Sequence, residues 1–191
     1  MHAFIGGDEV EVSGGEWKRA YDDFFKGRIG ERYLTPIRLL QNERGRGEGF
    51  SIVSIQCALI EFLAANERGF RYEHGKPDDY ANFRYSGSGK LFRESIVGVP
   101  PFSGLFNEGL AVEFYTHVRC SLLHEAGTTG GWKIRTRQHQ TIDMATRTLC
   151  RDGLQMVIDT YCQEYAARLQ KDAGLQQAFI RKFQWMADDA T

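Results

Sequence analysis

Apolar positions recur at three- and four-residue steps through most of this chain, the spacing of helices with one buried face. One long pattern runs from Glu108 to Thr129, EGLAVEFYTHVRCSLLHEAGTT, with Ala111, Phe114, Tyr115, Val118 and Leu122 forming its stripe. Asn107 is placed to cap the first turn, and Glu108 sets a carboxylate where the helix dipole favours one. Gly127 predicts the left-handed residue that ends the helix, because TTGG beyond it is a poor continuation. A second strong pattern, Phe50 to Arg68, carries Ile52, Ile55, Leu59 and Leu63 with Cys57, Ala58, Ile60 and Phe62 beside them. It is apolar over more than half its circumference and predicts the central helix of a bundle. Glu61 interrupts that run; buried, it requires a cation or hydrogen-bond donor, for which Arg119 is a fitting partner, and otherwise it marks a narrow wet side.

The remaining segments follow the same logic. WKRAYDDFF sets Trp17, Ala20, Tyr21, Phe24 and Phe25 on one apolar face, and Tyr33, Ile37 and Leu40 continue the spacing past Pro36. Gly27 and Gly30 predict two helical segments there, or one continuous helix at a cost of about 1 kcal/mol per glycine. NERGRGEG at 42–49 lacks the order of a phosphate-binding loop and reads as a helix–helix connection, with Arg44 and Arg46 as candidate polyanion contacts. Residues 69–89 form a polar excursion in which Phe70, Tyr72, Tyr80, Phe83 and Tyr85 alternate with Arg71, His74, Lys76 and Arg84; such aromatics either pin a loop to a core or stack on bases. Leu91 to Val97 predicts a short helix ending near VPPF. WKIRT at 132–136 alternates with period two and predicts a short strand or extended crossing, with the arm at residues 1–12 as candidate partner. Ile142 to Ala166 reads as a helix interrupted or tolerant at Gly153, and Gly174 sets off a last helix with Phe179, Phe183 and Trp185 inward. The expected fold is therefore an all-α helical bundle: an N-terminal arm at 1–15, one domain at 16–187 and a tail at 188–191.

Composition narrows this little. A chain of 191 residues, 42% hydrophobic and 26% charged, suits one domain with a core. The formal charge of −1 gives no global pull toward nucleic acid. Between Val112 and Arg151, however, Arg119, Lys133, Arg135, Arg137, Arg147 and Arg151 outnumber Glu113, Glu125 and Asp143, with His117, His124 and His139 among them, so the sector is modestly basic. Cys57, Cys120, Cys150 and Cys162 are widely spaced without metal-ligand spacing, which predicts free thiols in a reducing compartment and no metal. The opening MHAFIGGDEVEV does not read as a signal peptide, and no uninterrupted run of eighteen apolar residues occurs; the expectation is a cytoplasmic protein without membrane contact.

Chemistry concentrates in RCSLLH, where Arg119 is followed five positions later by His124. On an ideal helix the two point roughly 140° apart and are separated by roughly 7.5 Å of rise, so one helix does not bring them together. Two copies crossing at a two-fold axis would. This Arg-x4-His run near the end of a long helix, in an all-helical chain, resembles the signature of the HEPN superfamily (higher eukaryotes and prokaryotes nucleotide-binding domains). The resemblance covers about residues 17–187, with only the motif specific. It implies a HEPN-like fold, a homodimer through the motif helix, and metal-independent endoribonuclease activity without a cofactor, in some members as a toxin paired with an antitoxin protein. Arg119 and His124 would be the family arginine and histidine. RNA would be cleaved by its 2′-hydroxyl, leaving a 2′,3′-cyclic phosphate and a 5′-hydroxyl; His124 would move a proton and Arg119 would stabilise charge on phosphate. Cys120 departs from the pattern, standing where catalytic members often carry Asn, Asp or His. Supporting candidates are Glu61 behind Arg119, Ser121 and Thr128 as donors to phosphate, Glu125 to orient His124, and His117 on the face of His124. The rival expectation is a non-catalytic HEPN-like regulatory or binding module, with Arg119 paired structurally and His124 bonded to helix-end carbonyls. A third is an enzyme acting on a small phosphate ester, which would require an enclosed pocket.

Overall fold

The computed structural model describes residues 2–5, 8–11, 16–42 and 47–188; Arg44 and Arg46 lie outside them. The chain is mostly helical. Helix α1 spans 16–42, α2 Glu48–Arg68, α3 Ser88–Gly98, α4 108–124, α5 Arg151–Leu169 and α6 Ala173–Asp188. Gly27 and Gly30 do not divide α1. Both keep right-handed helical dihedrals, and the helix widens into π-helical turns at Tyr21–Lys26 and Gly30–Leu34. The second wide turn immediately precedes the Thr35–Asn42 segment containing Pro36. A widened ladder accommodates a residue that lacks an amide donor and crowds the carbonyl four positions back.

Helix α2 is the centre, packed by α1, α3, α5 and α6. It buries Ile52, Val53, Cys57, Leu59, Ile60 and Leu63, each fully buried aliphatic contributing about 1.5–3 kcal/mol relative to exposure. By length and composition alone α2 could cross a membrane, yet half of its most apolar window is buried inside this fold. Its buried polar residues face neighbouring helices: Gln56 donates to the Arg151 carbonyl at 2.9 Å and Asn66 to the Tyr165 hydroxyl at 2.7 Å. Beside it Phe25 of α1 stacks on Tyr165 of α5 at 5.0 Å.

Helix α4 starts as its sequence dictates, with the Asn107 side chain accepting from the Leu110 amide at 2.9 Å. Its end differs from expectation by one residue. The last turn closes with the Glu125 amide donating to the Ser121 carbonyl, and Ala126, not Gly127, takes the left-handed conformation at φ 52°. Glycine is needed further on, at Gly130: φ is 60° there, and a Cβ would stand 2.8 Å from the His117 ring.

The segment 142–150 corrects the helix expected from Ile142. It is a hairpin, with β6 at Ile142–Asp143 and β7 at Thr148–Cys150 flanking a turn. The Asp143 carboxylate accepts from the Ala145 and Thr146 amides at 2.9 and 3.3 Å, an Asx turn that competes with helix. Helix α5 therefore begins only at Arg151. Gly153 stays within it because a Cβ there would meet Thr141 Oγ1 at 2.7 Å, so the incoming chain lies directly on its first turn. The crossing at Lys133–Arg135 is strand β5, and its partner is β7, in parallel, rather than the arm; the sheet order is β5-β7-β6. The arm pairs with itself, β1 at His2–Ile5 antiparallel to β2 at Asp8–Glu11. In the excursion, β3 at Arg71–Tyr72 runs parallel to β4 at Arg84–Tyr85. Phe70 and Tyr85 there are buried while Tyr72 and Phe83 are exposed, so the loop is pinned to the core by some of its rings and shows others to solvent.

Candidate functional site

The motif arginine turns inward. Arg119, in the π-helical part of α4 at Tyr115–Cys120, donates from Nη2 to Glu61 Oε2 of α2 at 2.8 Å, each side chain 18% exposed. The Tyr115 ring, one turn earlier, lies 5.4 Å from the guanidinium carbon. Burial works against the charge on Arg119, but the hydrogen bond and charge of Glu61 outweigh it and hold the guanidinium pKa above its ordinary value. A carboxylate placed in an apolar helical run thus has the cation it requires.

This pair forms part of the wall of a cavity of about 280 Å³, lined also by Tyr33 of α1, Ser54, Cys57 and Phe62 of α2, Tyr85 of β4, Leu123 of α4 and Lys182 of α6. Lys182 is buried, donates to the Phe70 carbonyl at 2.8 Å and stands 5.8 Å from the centre of the Phe62 ring. Burial first, then the neighbouring Arg28, pull its pKa down to about 8, with Glu61 opposing them. Cys57 is the reverse case: burial pushes its thiol up to about 12 although Arg119 favours the thiolate. A thiol held protonated at neutral pH is a poor nucleophile, so the cavity's chemistry is that of its cations and hydroxyls.

The other predicted site residues fall into two groups. His124 and Glu125 are exposed at the end of α4, outside the cavity wall, although Leu123 next to them belongs to it and is 63% exposed. His117, Ser121 and Thr128 are drawn into the turn that follows α4. His117 Nδ1 and Ser121 Oγ lie 3.0 and 2.7 Å from Thr129 Oγ1; Ser121 Oγ also donates to the Thr116 carbonyl, and Thr128 Oγ1 to the Trp132 carbonyl at 2.6 Å. Their polar atoms hold residues 128–132 against the helix, where they already have protein partners. Cys120 is half-buried beside Arg119; the Tyr115 phenol nearby has its pKa raised chiefly by burial, with a smaller contribution from Cys120. The basic sector is similarly divided: Arg119 pairs with Glu61, Arg147 with Glu113 at 3.8 Å and Arg151 with Glu48 at 3.5 Å, whereas Lys133, Arg135 and Arg137 are exposed.

Sequence reading took Tyr33 only as part of an apolar stripe and Tyr85 only as a loop ring that pins to the core or stacks on bases, and it did not reach Lys182. Lys182 did carry a signal, since it falls on the stripe of Leu175, Ala178 and Phe179, where a buried lysine needs an explanation. Among the described residues no group of three or more His, Cys, Asp or Glu side chains is arranged to hold a metal ion. No family model matches the chain, and no curated protein or solved structure matches it either.

Proposed function

We propose that this protein is a metal-independent endoribonuclease of the HEPN type, acting as a homodimer in which α4 of each copy contributes Arg119 and His124. The observation that carries the reading is the state of Arg119: charged, half-buried and oriented by Glu61 beside a cavity, with exposed His124 in the last turn of the same helix. A guanidinium held in that way is suited to the non-bridging oxygens of a phosphodiester, because its planar donor fork needs little reorganisation as charge develops. Arg119 and His124 do not share a cavity wall within one chain, so the reading requires the second copy to bring a histidine to the phosphate.

The reaction follows from these parts. The ribose 2′-oxygen attacks phosphorus, a neutral imidazole takes its proton, and an imidazolium returns a proton to the departing 5′-oxygen. The products are a 2′,3′-cyclic phosphate and a 5′-hydroxyl, with no net consumption of protons. A cytoplasmic setting and an antitoxin that covers α4 belong to the same reading. One observation favours a non-catalytic binding module instead: Glu61 already neutralises Arg119, and Cys120 supplies only a weak donor beside it.

The test is incubation of mixed-sequence single-stranded RNA with the protein in EDTA, beside Arg119→Ala and His124→Ala. Cyclic-phosphate fragments from the wild type are expected, with each variant slowed by roughly 100-fold or more. Intact RNA after exposure to folded, dimeric wild type would move the protein to the binding module. Equal cleavage by both variants would remove the site from α4.

A further inference from the structure

The cavity between α2, α4 and α6 has a donor surplus of which the cleavage reading uses only Arg119. Arg119 gives one N–H to Glu61, and the rest of its guanidinium has no hydrogen-bond acceptor among the described residues. Lys182 Nζ gives one N–H to the Phe70 carbonyl and has no carboxylate partner among the described residues. The hydroxyls of Tyr33 and Tyr85 likewise have no hydrogen-bond partner among the described residues. Both lie near enough to Glu61 to feel its charge, which sets them on the cavity's polar side. Arg28 stands close enough to Lys182 to repel its proton. Glu61 is the one carboxylate in the lining, against the two cations Arg119 and Lys182, and Arg28 adds a third positive charge near Lys182 outside the lining.

We propose that this cavity is a binding site for a phosphate monoester of small size, carried either by a free nucleoside monophosphate or by the 5′-phosphorylated end of a nucleic-acid strand. Phosphate matches the lining because its terminal oxygens accept hydrogen bonds and the uncommitted groups are donors. The one net positive charge of the lining and that of Arg28 beside Lys182 together answer the second negative charge of a monoester, and that charge distinguishes it from an internal phosphodiester. The volume of about 280 Å³ lies at the lower edge of ligand pockets and excludes a bulky occupant. The faces of Phe62, Tyr33 and Tyr85 offer a wall for the ring attached to the phosphate. The site shares Arg119 with the cleavage reading but stands without it, since binding requires neither His124 nor a second copy.

The experiment is calorimetric titration of the full chain with uridine 5′-monophosphate, inorganic phosphate and unphosphorylated uridine. Saturable binding of the monophosphate, with uridine at least about 10-fold weaker, is expected, a ratio typical of losing charge-assisted hydrogen bonds. Lys182→Met should weaken the monophosphate by about the same factor. Tyr33→Phe and Tyr85→Phe, which remove only a hydroxyl, should each do so by a few-fold with unchanged thermal unfolding, and they keep the test decisive if Lys182→Met is unfolded. A 2′-deoxy oligonucleotide, which cannot be cleaved by the proposed reaction, separates the sources. Tight binding of its 5′-phosphorylated form alone assigns the cavity to a strand end, and preference for the mononucleotide assigns it to a free nucleotide. Uridine binding as well as its monophosphate, no saturable binding by wild type, or wild-type affinity in all folded variants would overturn the proposal. Monophosphate binding by a protein that leaves RNA intact would retain the cavity and remove the nuclease; cleavage without such binding would do the opposite.

Discussion

Two of the glutamates of helix α2, Glu61 and Glu67, each pair with an arginine of a neighbouring helix, and these two pairs have different surroundings. Glu67 is fully occupied. Arg168 of α5 grips both its oxygens, Tyr161 donates its hydroxyl to Oε2, and the adjacent Asn66 ties off Tyr165. Glu61, six residues earlier, receives one bond from Arg119, and the space around that bond is a cavity with uncommitted donors. The same two residue types thus make a clamp in one place and a candidate site in the other. An ion pair alone does not distinguish them; the donors left over after pairing do.

The sharpest way to break that comparison is to truncate each arginine. Arg119→Ala should lower RNA cleavage by roughly 100- to 1000-fold and also cost about 3 kcal/mol of unfolding free energy, because it leaves Glu61 without its cation where both side chains are 18% exposed. Arg168→Ala should leave cleavage near wild type while costing about 2–3 kcal/mol of unfolding free energy, because Glu67 and its hydrogen-bonded tyrosine lose their cation. The figure is set below that of a fully buried pair because the Arg168 side chain is 37% exposed. Cleavage lost in Arg168→Ala at temperatures where it remains folded, or wild-type cleavage by folded Arg119→Ala, would reverse the assignment of site and clamp.

A gentler probe is Lys182, whose pKa in the fold is about 8 against an ordinary 10.5. Between those values the unfolded chain holds the proton that the folded chain has released, so stability attributable to this group rises with pH. The burial cost is fully present below pH 8 and is relieved toward 10.5. Wild type should therefore gain on Lys182→Met by roughly 1 kcal/mol from pH 8 to pH 9 in urea unfolding. Cys57 and Cys162, pushed by burial from 9.0 to about 12, act in the opposite sense above pH 9. They are present in both proteins and cancel in the difference. A flat difference across this interval would mean that Lys182 is not held in a desolvated cation-rich setting.

Which parts of this arrangement were legible in the sequence depends on the range of the interactions that set them. The Asn107 cap and the central place of α2 follow from local rules of capping and apolar spacing, and both are present. The Glu61–Arg119 pair was legible for a different reason: a carboxylate in a mostly apolar run demands a partner, and few cations were placed to supply it. The hairpin at 142–150 was not. Ala145 and Leu149 fit a helical spacing, and only the Asp143 turn and pairing with β5, far along the chain, decide for strand. Ala126 displaced Gly127 because the last hydrogen bond of α4 sets where the chain reverses, and residue preference is the weaker influence. The cavity itself was hidden, since Tyr33, Tyr85 and Lys182 come from three distant elements and meet only in the packed bundle.

The smallest expected effect concerns the rings beneath the arginines. Arg168 lies over two, Tyr161 at 5.9 Å and Tyr165 at 5.7 Å, whereas Arg119 has, among the described residues, Tyr115 alone at 5.4 Å. Arg119 therefore has no second face to keep its guanidinium in place if Tyr115 is lost. Tyr115→Leu should weaken the hold on Arg119 by about 0.5–1 kcal/mol, read as a two- to fivefold loss in cleavage and in monophosphate affinity. Tyr115→Phe keeps the ring and gives up only the hydroxyl that lies 3.0 Å from Ser88 Oγ. Its cleavage and affinity should stay near wild type, with a stability loss of about 1 kcal/mol from the missing hydrogen bond. If Phe and Leu at this position behave alike in both assays, the ring does not orient Arg119, and Glu61 alone sets the guanidinium's direction.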